Sequence, residues 1–503
     1  MRSLGLPRAG MGLVLCGLAV PMLAPLGALA QGVPGNPPPA ASLGTAPLPL
    51  GQARPLTLAE AEALLLERNL ALVAARRGVD AARAQRLVAS ALPPPQVSVG
   101  NTIGQFVETE RGGTRGARLF SPGNNIAVGL AVLIERGGKR ELRTRIAEEQ
   151  IGQAEALVLD TLRTQLFQLR QAFLGALLAR ANLEVALGNR ASLDRTEALL
   201  RRQLRDGAIP EGDLLRFQAS RLQFESDVTN NAQAYAAGVA AVAALLAADP
   251  AAFTPGAGQI APMPPGLGAA PGGGPSAAPT TARAVLSPVA FDLRGRFDQA
   301  PPLGIGRDAL AQGVASRADV VAAQRQLSAA EANRLLAEAG RSRDVTVNGS
   351  WARSRLSQDL PESRDRIDAV NSFGLQLSVP IFTRRIVEGN VGVAAAQSGQ
   401  AEAQARATLL QARADFAAAW AGYEQAKALS DLYAGGALGR AEEAYRSTEQ
   451  AYLAGGRSLL DTLDALRTLN ATRIQANQAR YAYLLALAAL EQATGVSGVA
   501  PRL

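Results

Sequence analysis

The 503-residue chain has no His and a single Cys, Cys16. Ser/His and Cys/His nucleophilic sets, disulfide frameworks and His-ligated metals therefore have no residues to build on. What remains is carboxylate and guanidinium chemistry, and most of it has the spacing of solvated helix faces. Two carboxylates stand apart. Asp461 and Asp464 lie three positions from each other, so a helix places them on one face. If several copies of the chain ringed such pairs around one narrow opening, the crowded carboxylates would attract cations and resist simultaneous ionisation, which raises the pKa of some of them. That is electrostatics, not catalysis, and no catalytic, cofactor or metal site is expected. The formal charge of +8 comes from Arg interleaved with Glu, Asp and Gln, without basic blocks or stacking aromatics, so no nucleic-acid partner is expected either.

Asp461 belongs to a recurring pattern. Asp206-Gly207-Ala208 is followed by Asp213, and Ala454-Gly455-Gly456 by Asp461, each Asp six residues after its Gly. A Gly that ends a helix in the left-handed conformation suits both places. The two copies are 248 positions apart, and the same shift relates other segments. Ala74-Ala75 recurs as Ala322-Ala323, and Val97-Ser98-Val99 as Val345-Thr346-Val347. Gln153-Ala154-Glu155-Ala156 recurs as Gln400-Ala401-Glu402-Ala403, shifted by 247. A nearly constant shift across helices and strands marks a tandem duplication.

Each half predicts the same elements. In the first, a helix over 58–92 leads into a strand near Val97, a Gly/Arg-rich loop over 110–124, and a strand over 126–134. A helix over 138–205, roughly 100 Å long, turns at Gly207 and returns to about Ala248. The second half repeats this with a helix from Asp308, strands near Val345 and over 373–381, a long helix from Glu388, and a return helix to about Thr494. The expected organisation is a signal peptide (1–30), a Pro/Gly-rich segment (31–55), a first repeat (56–250), a Pro/Gly/Ala-rich irregular connector (251–304), a second repeat (305–495) and a tail (496–503). The signal has Arg2 and Arg8, an apolar run broken by Pro21 and Pro25, and Ala28-Leu29-Ala30 as the cleavage site. Lipidation of Cys16 is the competing reading of that segment, disfavoured by the bulk of Leu15.

The strands carry a membrane pattern. In Phe373-Gly374-Leu375-Gln376-Leu377-Ser378-Val379 large apolar residues alternate with small or polar ones, and 126–134 alternates likewise. This is the signature of a barrel strand with one face in lipid, although a half-buried strand in a soluble sheet alternates too. Leu377 is expected to face lipid and Gln376 the lumen. Four strands cannot close a barrel alone; several chains must contribute, or there is no barrel.

At this point the chain resembles the TolC-like outer-membrane efflux family over nearly all of its length after residue 30. The resemblance is carried by Leu56-Thr57-Leu58-Ala59-Glu60-Ala61, Arg68-Asn69-Leu70-Ala71-Leu72 and Arg317-Ala318-Asp319-Val320, with both strand pairs and both turns. Gly137-Gly138-Lys139-Arg140 is similar to the heavy-metal-efflux branch. The resemblance implies a mainly α fold with a membrane β-barrel. In it a homotrimer gives four strands per chain to a 12-stranded barrel, continued by a long periplasmic α-helical tunnel. It further implies an outer-membrane exit duct for tripartite efflux or type I secretion in a Gram-negative bacterium. The implied partners are outer-membrane lipid, a periplasmic adaptor protein and an inner-membrane transporter. The turns would be the periplasmic tips, with Gly207, Ala208, Gly455 and Gly456 docking the adaptor. Asp213, Tyr452, Arg457, Asp461 and Asp464 would form the aperture gate. Here Asp206, Ala208 and Ala454 depart from the family's Val-Gly-Leu or Val-Gly-Thr. Two other readings remain open on the residues: a periplasmic adaptor, and a secreted coiled-coil structural protein whose heptads Asn470 and Asn477 interrupt.

Overall fold

The computed structural model describes residues 54–103, 124–248, 291–295, 301–354 and 370–500. The expected signal peptide with Cys16, and most of the loops and connector read from the sequence, lie outside the described residues.

The first half opens with β1 (Arg54–Thr57), α1 (Leu58–Arg68) and α2 (Leu70–Ser90). Thr57 caps α1 in a capping box, accepting from the Glu60 N–H while the Glu60 carboxylate accepts from the Thr57 N–H. The single helix expected over 58–92 is broken, because Asn69 takes an extended conformation and caps the helix that follows it. β2 (Gln96–Ile103) and β3 (Asn124–Ile134) come next. α3 (Lys139–Arg205) then runs uninterrupted for 67 residues, and α4 (Glu211–Leu245) returns beside it.

The second half repeats the order with two differences. The connector, expected to be irregular, contributes β4 (Phe291–Arg294), which pairs in parallel with β1. α5 (Arg307–Gly313), a 3-10 turn (Val314–Ser316) and α6 (Ala318–Ala339) replace the single helix expected from Asp308, with the break at Arg317. β5 (Val345–Ser354) and β6 (Val370–Ser378) follow, the latter ending three residues earlier than the alternation suggested. The long helix is then interrupted. α7 (Arg384–Leu432) passes through a π-type turn (Tyr433–Ala437) into α8 (Leu438–Leu453), and α9 (Leu459–Thr494) returns. Gly436 sits at φ 100°, a conformation only glycine adopts readily. At the equivalent place α3 runs straight through Gly188.

Helical hairpins α3–α4 and α8–α9 pack around small cores. Leu193, Leu200, Phe217, Phe224, Leu463 and Leu466 form one near the turns. Another, built on Leu310, Phe416, Tyr423, Tyr483 and Leu487, lies where the short helices meet the long ones. The asparagines that break the apolar spacing of α9 are paired across to α3. Asn189 donates to Asn470 at 2.7 Å, and Asn477 to Asn182 at 3.0 Å, all four buried. Each pair is seven residues from the other on both helices, so the two rungs fix one antiparallel register. No helix among the described residues is long and apolar enough to cross a membrane.

Candidate functional site

The site has two parts, a sheet and a pair of turns at the far ends of the long helices. The sheet is antiparallel in the order β2-β3-β5-β6. Directly opposed residues share a face, so the register sorts the side chains. Leu130 stands opposite Val97 and Gly349, Trp351 opposite Val128 and Phe373, and Leu377 opposite Val347. The other face carries Ser98 opposite Gly129, Asn348 opposite Ala131 and Gln376, and Ser350 opposite Gly374. Along most of its length the first face is apolar and the second small or polar. The end row Asn101, Ile126, Arg353 and Asn371 brings polar groups onto the first, Leu133 and Val370 lie on the second, and Leu377 and Gln376 stand on opposite sides as expected. Phe373, Leu375 and Leu377 are 66–84% exposed, an arrangement that water disfavours and a bilayer satisfies. The polar face is closely packed: a Cβ at Gly129 would lie 2.7 Å from the Ser98 hydroxyl, and one at Gly374 equally near that of Ser350.

Below the sheet, positive φ values at Gly137 and Gly138 turn β3 into α3. A Cβ at Gly137 would strike Ser342, so the turn and the start of β5 are in close contact. Lys139 Nζ lies 2.8 Å from both oxygens of Asp344, and the Arg136 N–H donates to the same carboxylate. This ionic clasp joins the two halves where the strands meet the helices. No local pattern announces it, because its partners are 205 positions apart.

At the turns, Gly207 and Gly455 are both left-handed, at φ 72° and 79°. The Ala208 N–H donates to the Gln203 carbonyl, and the Gly456 N–H to that of Ala451. These 6→1 bonds, with the 5→2 bonds from Gly207 and Gly455, make both turns the same C-terminal helix motif. Gly207, Ala208, Gly455 and Gly456 are all exposed.

The helices that leave the turns begin differently. Asp461 is spent locally: Ser458 donates its hydroxyl and its N–H to one Asp461 oxygen, at 2.9 and 3.1 Å, in a capping box. The Ser458 hydroxyl, its N–H and the nearby Arg457 charge hold this carboxyl below the usual range. Asp464 is exposed on the same helix. At the matching start of α4 the cap is Pro210, which has no hydroxyl, so Asp213 is not drawn into a capping box. It lies 4.0 Å from Arg216, and its charge, after burial, raises the Tyr452 hydroxyl pKa. Within one chain no hydrogen bond or ion pair joins Asp213 to Tyr452 or Arg457; Asp213 is felt by Tyr452 only through its charge.

Sequence reasoning missed several residues that hold these parts in place. Glu197, 2% exposed, accepts from Arg201 and Gln218 and pairs with Arg221, joining α3 to α4 above the turn. Arg170 ties α1 to α9 through Glu62 and Glu491, and the Glu491 carboxylate is also held by the N–H groups of Gly498, Val499 and Ala500. Only Ser458-x-x-Asp461 had a readable signal, the capping-box spacing.

The fold is shared with solved structures at low identity. A membrane protein from Pseudomonas aeruginosa is 18% identical, with a TM-score of 0.66 over 87% of this chain and 92% of that one. The Campylobacter jejuni CmeC outer membrane channel is 17% identical, with a TM-score of 0.61 over 87% and 85%. The open state of the Neisseria gonorrhoeae MtrE outer membrane channel is 18% identical, with 0.60 over 87% and 89%. No curated protein sequence matches. The profile of the family described as outer membrane efflux protein matches residues 63–248 and 309–496, one segment in each half of the duplication. With a match over well more than half of its length, the chain belongs to the outer membrane efflux protein family, and is an efflux duct of the Gram-negative outer membrane rather than an enzyme.

Proposed function

We propose that three copies of the chain close a 12-stranded barrel and form a passive exit duct for a tripartite efflux or type I secretion system. The observation that carries this reading is the four-stranded sheet, two-faced and open at both edges, standing on helical hairpins far too long for a single small domain. A sheet in lipid cannot leave its edges unpaired, and four strands are too few to close. Three copies resolve both. The exposed turns at Gly207-Ala208 and Gly455-Gly456 offer two similar ends to a periplasmic adaptor, which would couple the duct to an inner-membrane transporter.

The aperture is assigned to Asp213, Tyr452, Arg457 and Asp464, with Asp461 acting mainly in the capping box that Ser458 opens at the start of α9. That a channel of this fold has been described in an open state supports a movable aperture. Cargo selection is assigned to the transporter, as the family resemblance implies.

The test is the state of the protein in outer-membrane extracts. Trimers that resist heating in detergent, with loss of efflux when the gene is deleted, are the expected result. A soluble periplasmic monomer would sink the proposal.

A further inference from the structure

Just past the strand ends the charges sort by face. β3 and β5 end their pairing at Ile134 and Val345. Carried on by one residue, that register sets Glu135 opposite Asp344; carried on by two, it sets Arg136 opposite Arg343. The carboxylates are both taken up within the chain. Arg143 grips Glu135, and Lys139 holds both oxygens of Asp344. Glu135 and Asp344 are half-buried, whereas Arg136 and Arg343 are exposed, and no carboxylate among the described residues forms an ion pair with either arginine.

Opposed residues share a face and successive ones alternate. Arg136 and Arg343 therefore continue the face of Leu130, Val132 and Val347, the one that meets lipid. Like charges directly opposite each other on a sheet repel. A bound anion relieves that repulsion, and two guanidinium forks side by side suit the oxygens of a phosphate.

The spacing of the rows identifies whose phosphate. On the lipid face Ile126 is level with Arg353 at one end of the sheet, and Arg136 with Arg343 at the other. The steps from Ile126 to Arg136, at ~3.3 Å each, make roughly 33 Å of strand. Tilted by the ~40° usual in membrane barrels, that strand stands about 25 Å tall, the height of their apolar band. Rows with arginine thus bracket the hydrocarbon, and Arg136 and Arg343 fall at the headgroup level of the leaflet on the helical, periplasmic side. The next strand end agrees. Continuing the β5–β6 register sets Ile381 beside Arg343, 64% exposed, and the adjacent Phe382 is 88% exposed at φ 58°. Exposed apolar side chains next to unpaired arginines suit the level where acyl chains meet headgroups.

We propose that Arg136 and Arg343 together bind the phosphodiester of an anionic phospholipid of the periplasmic leaflet, one lipid per chain, with its acyl chains against Ile134 and Ile381. The site rests on the barrel reading of the sheet and fixes the height of that barrel in the membrane. Each half of the duplication supplies one of the two arginines.

Native mass spectrometry of the delipidated full-length protein, titrated with phosphatidylglycerol, tests this. Arg136→Gln with Arg343→Gln, purified as heat-resistant trimers, should need at least several-fold more lipid for half-saturation. Arg202→Gln with Arg205→Gln removes the same charge at the far end of α3, roughly 100 Å away, and should bind as the wild type does. Phosphatidylethanolamine, whose ammonium offsets its phosphate, should bind more weakly than phosphatidylglycerol, and inorganic phosphate should not displace the lipid. Equal affinity of wild type and the Arg136/Arg343 variant overturns the site, as does an equal loss in the Arg202/Arg205 variant. Equal binding of phosphatidylethanolamine, or displacement by inorganic phosphate, overturns the assignment to an anionic lipid. In all these cases heat-resistant wild-type trimers leave the barrel standing, whereas a soluble wild-type monomer removes both.

Discussion

Asn69 and Arg317, 248 positions apart, do one job with two chemistries. Each separates a short helix from a longer one, and each is less than 5% exposed. The Asn69 amide donates to the Leu245 carbonyl at 2.9 Å, and the Arg317 guanidinium to the Ala493 carbonyl at 3.2 Å. Leu245 and Ala493 are themselves 248 apart, so both residues tie the start of their half to the end of its return helix. Asn69 is completed by a neutral Gln165. Arg317 is completed by a two-pronged pair with Asp319, at 2.7 Å for each prong, and by Asp415 at 3.0 Å.

The difference predicts unequal mutants. Asn69→Leu leaves the Leu245 carbonyl, the Gln165 side-chain carbonyl and the Leu72 N–H short of partners and should cost about 1–3 kcal/mol. Arg317→Leu strands the Asp319 carboxylate, while the more exposed Asp415 keeps its bond from Gln411, and should cost more, about 3 kcal/mol. Denaturant unfolding in detergent ranks them, and an equal loss would contradict the assignment.

Arg317 also sets a pH dependence. Burial works against the charge of Asp319, but the bond to Arg317 and its positive charge outweigh this and hold the carboxyl below its ordinary value. A depressed folded pKa contributes stability that is present above the unfolded value, about 3.9, and lost as pH falls through the folded one. Thermal stability should therefore drop below about pH 4 in the wild type. In Arg317→Leu the drop should be smaller, which a melting series across that range will show.

The sheet register predicts a lipid face. Leu377→Arg should cost roughly 2–4 kcal/mol and impair insertion. Gln376→Arg, on the face of Asn348, should insert normally. Equal insertion of the two variants would mean the faces are assigned the wrong way round.

At the turns, Asp464→Ala should weaken block by a polyvalent cation added from the periplasmic side at least several-fold. Asp461→Asn should weaken it less, since Ser458 already occupies that carboxylate. Block should fade in 1 M salt, where screening shortens to about 3 Å. Bilayer recordings in which Asp461 proves the more important of the two would refute the division of roles. Asp213→Ala with Arg457→Ser should admit a large antibiotic normally excluded, and unchanged uptake and conductance would count against a latch there.

The asparagine rungs predict non-additivity. Asn182→Leu alone leaves Asn477 buried without its partner and should cost about 1–3 kcal/mol. Replacing Asn182 and Asn477 together by Leu should recover much of that. A double variant as unstable as the sum of the singles would show that the pair does not act as a unit.

The sequence by itself determined whatever depends on period and on repetition. The duplication, the alternation around Leu377, the long helices and both glycine turns were legible because each is written in neighbouring residues or in a constant shift. Helix breaks were not. Asn69 and Arg317 sit in good helical pattern, and only their distant carbonyl partners make an extended backbone worthwhile. The pairing of β1 with β4 was invisible for the same reason, since four-residue strands 237 positions apart carry almost no local signal. The roles of Asp213 and Asp461 divided only in the tertiary structure. Both hold the same place in the repeat, but a Ser precedes one helix and a Pro the other, and a hydroxyl in reach of a carboxylate decides which of them is left for a neighbour.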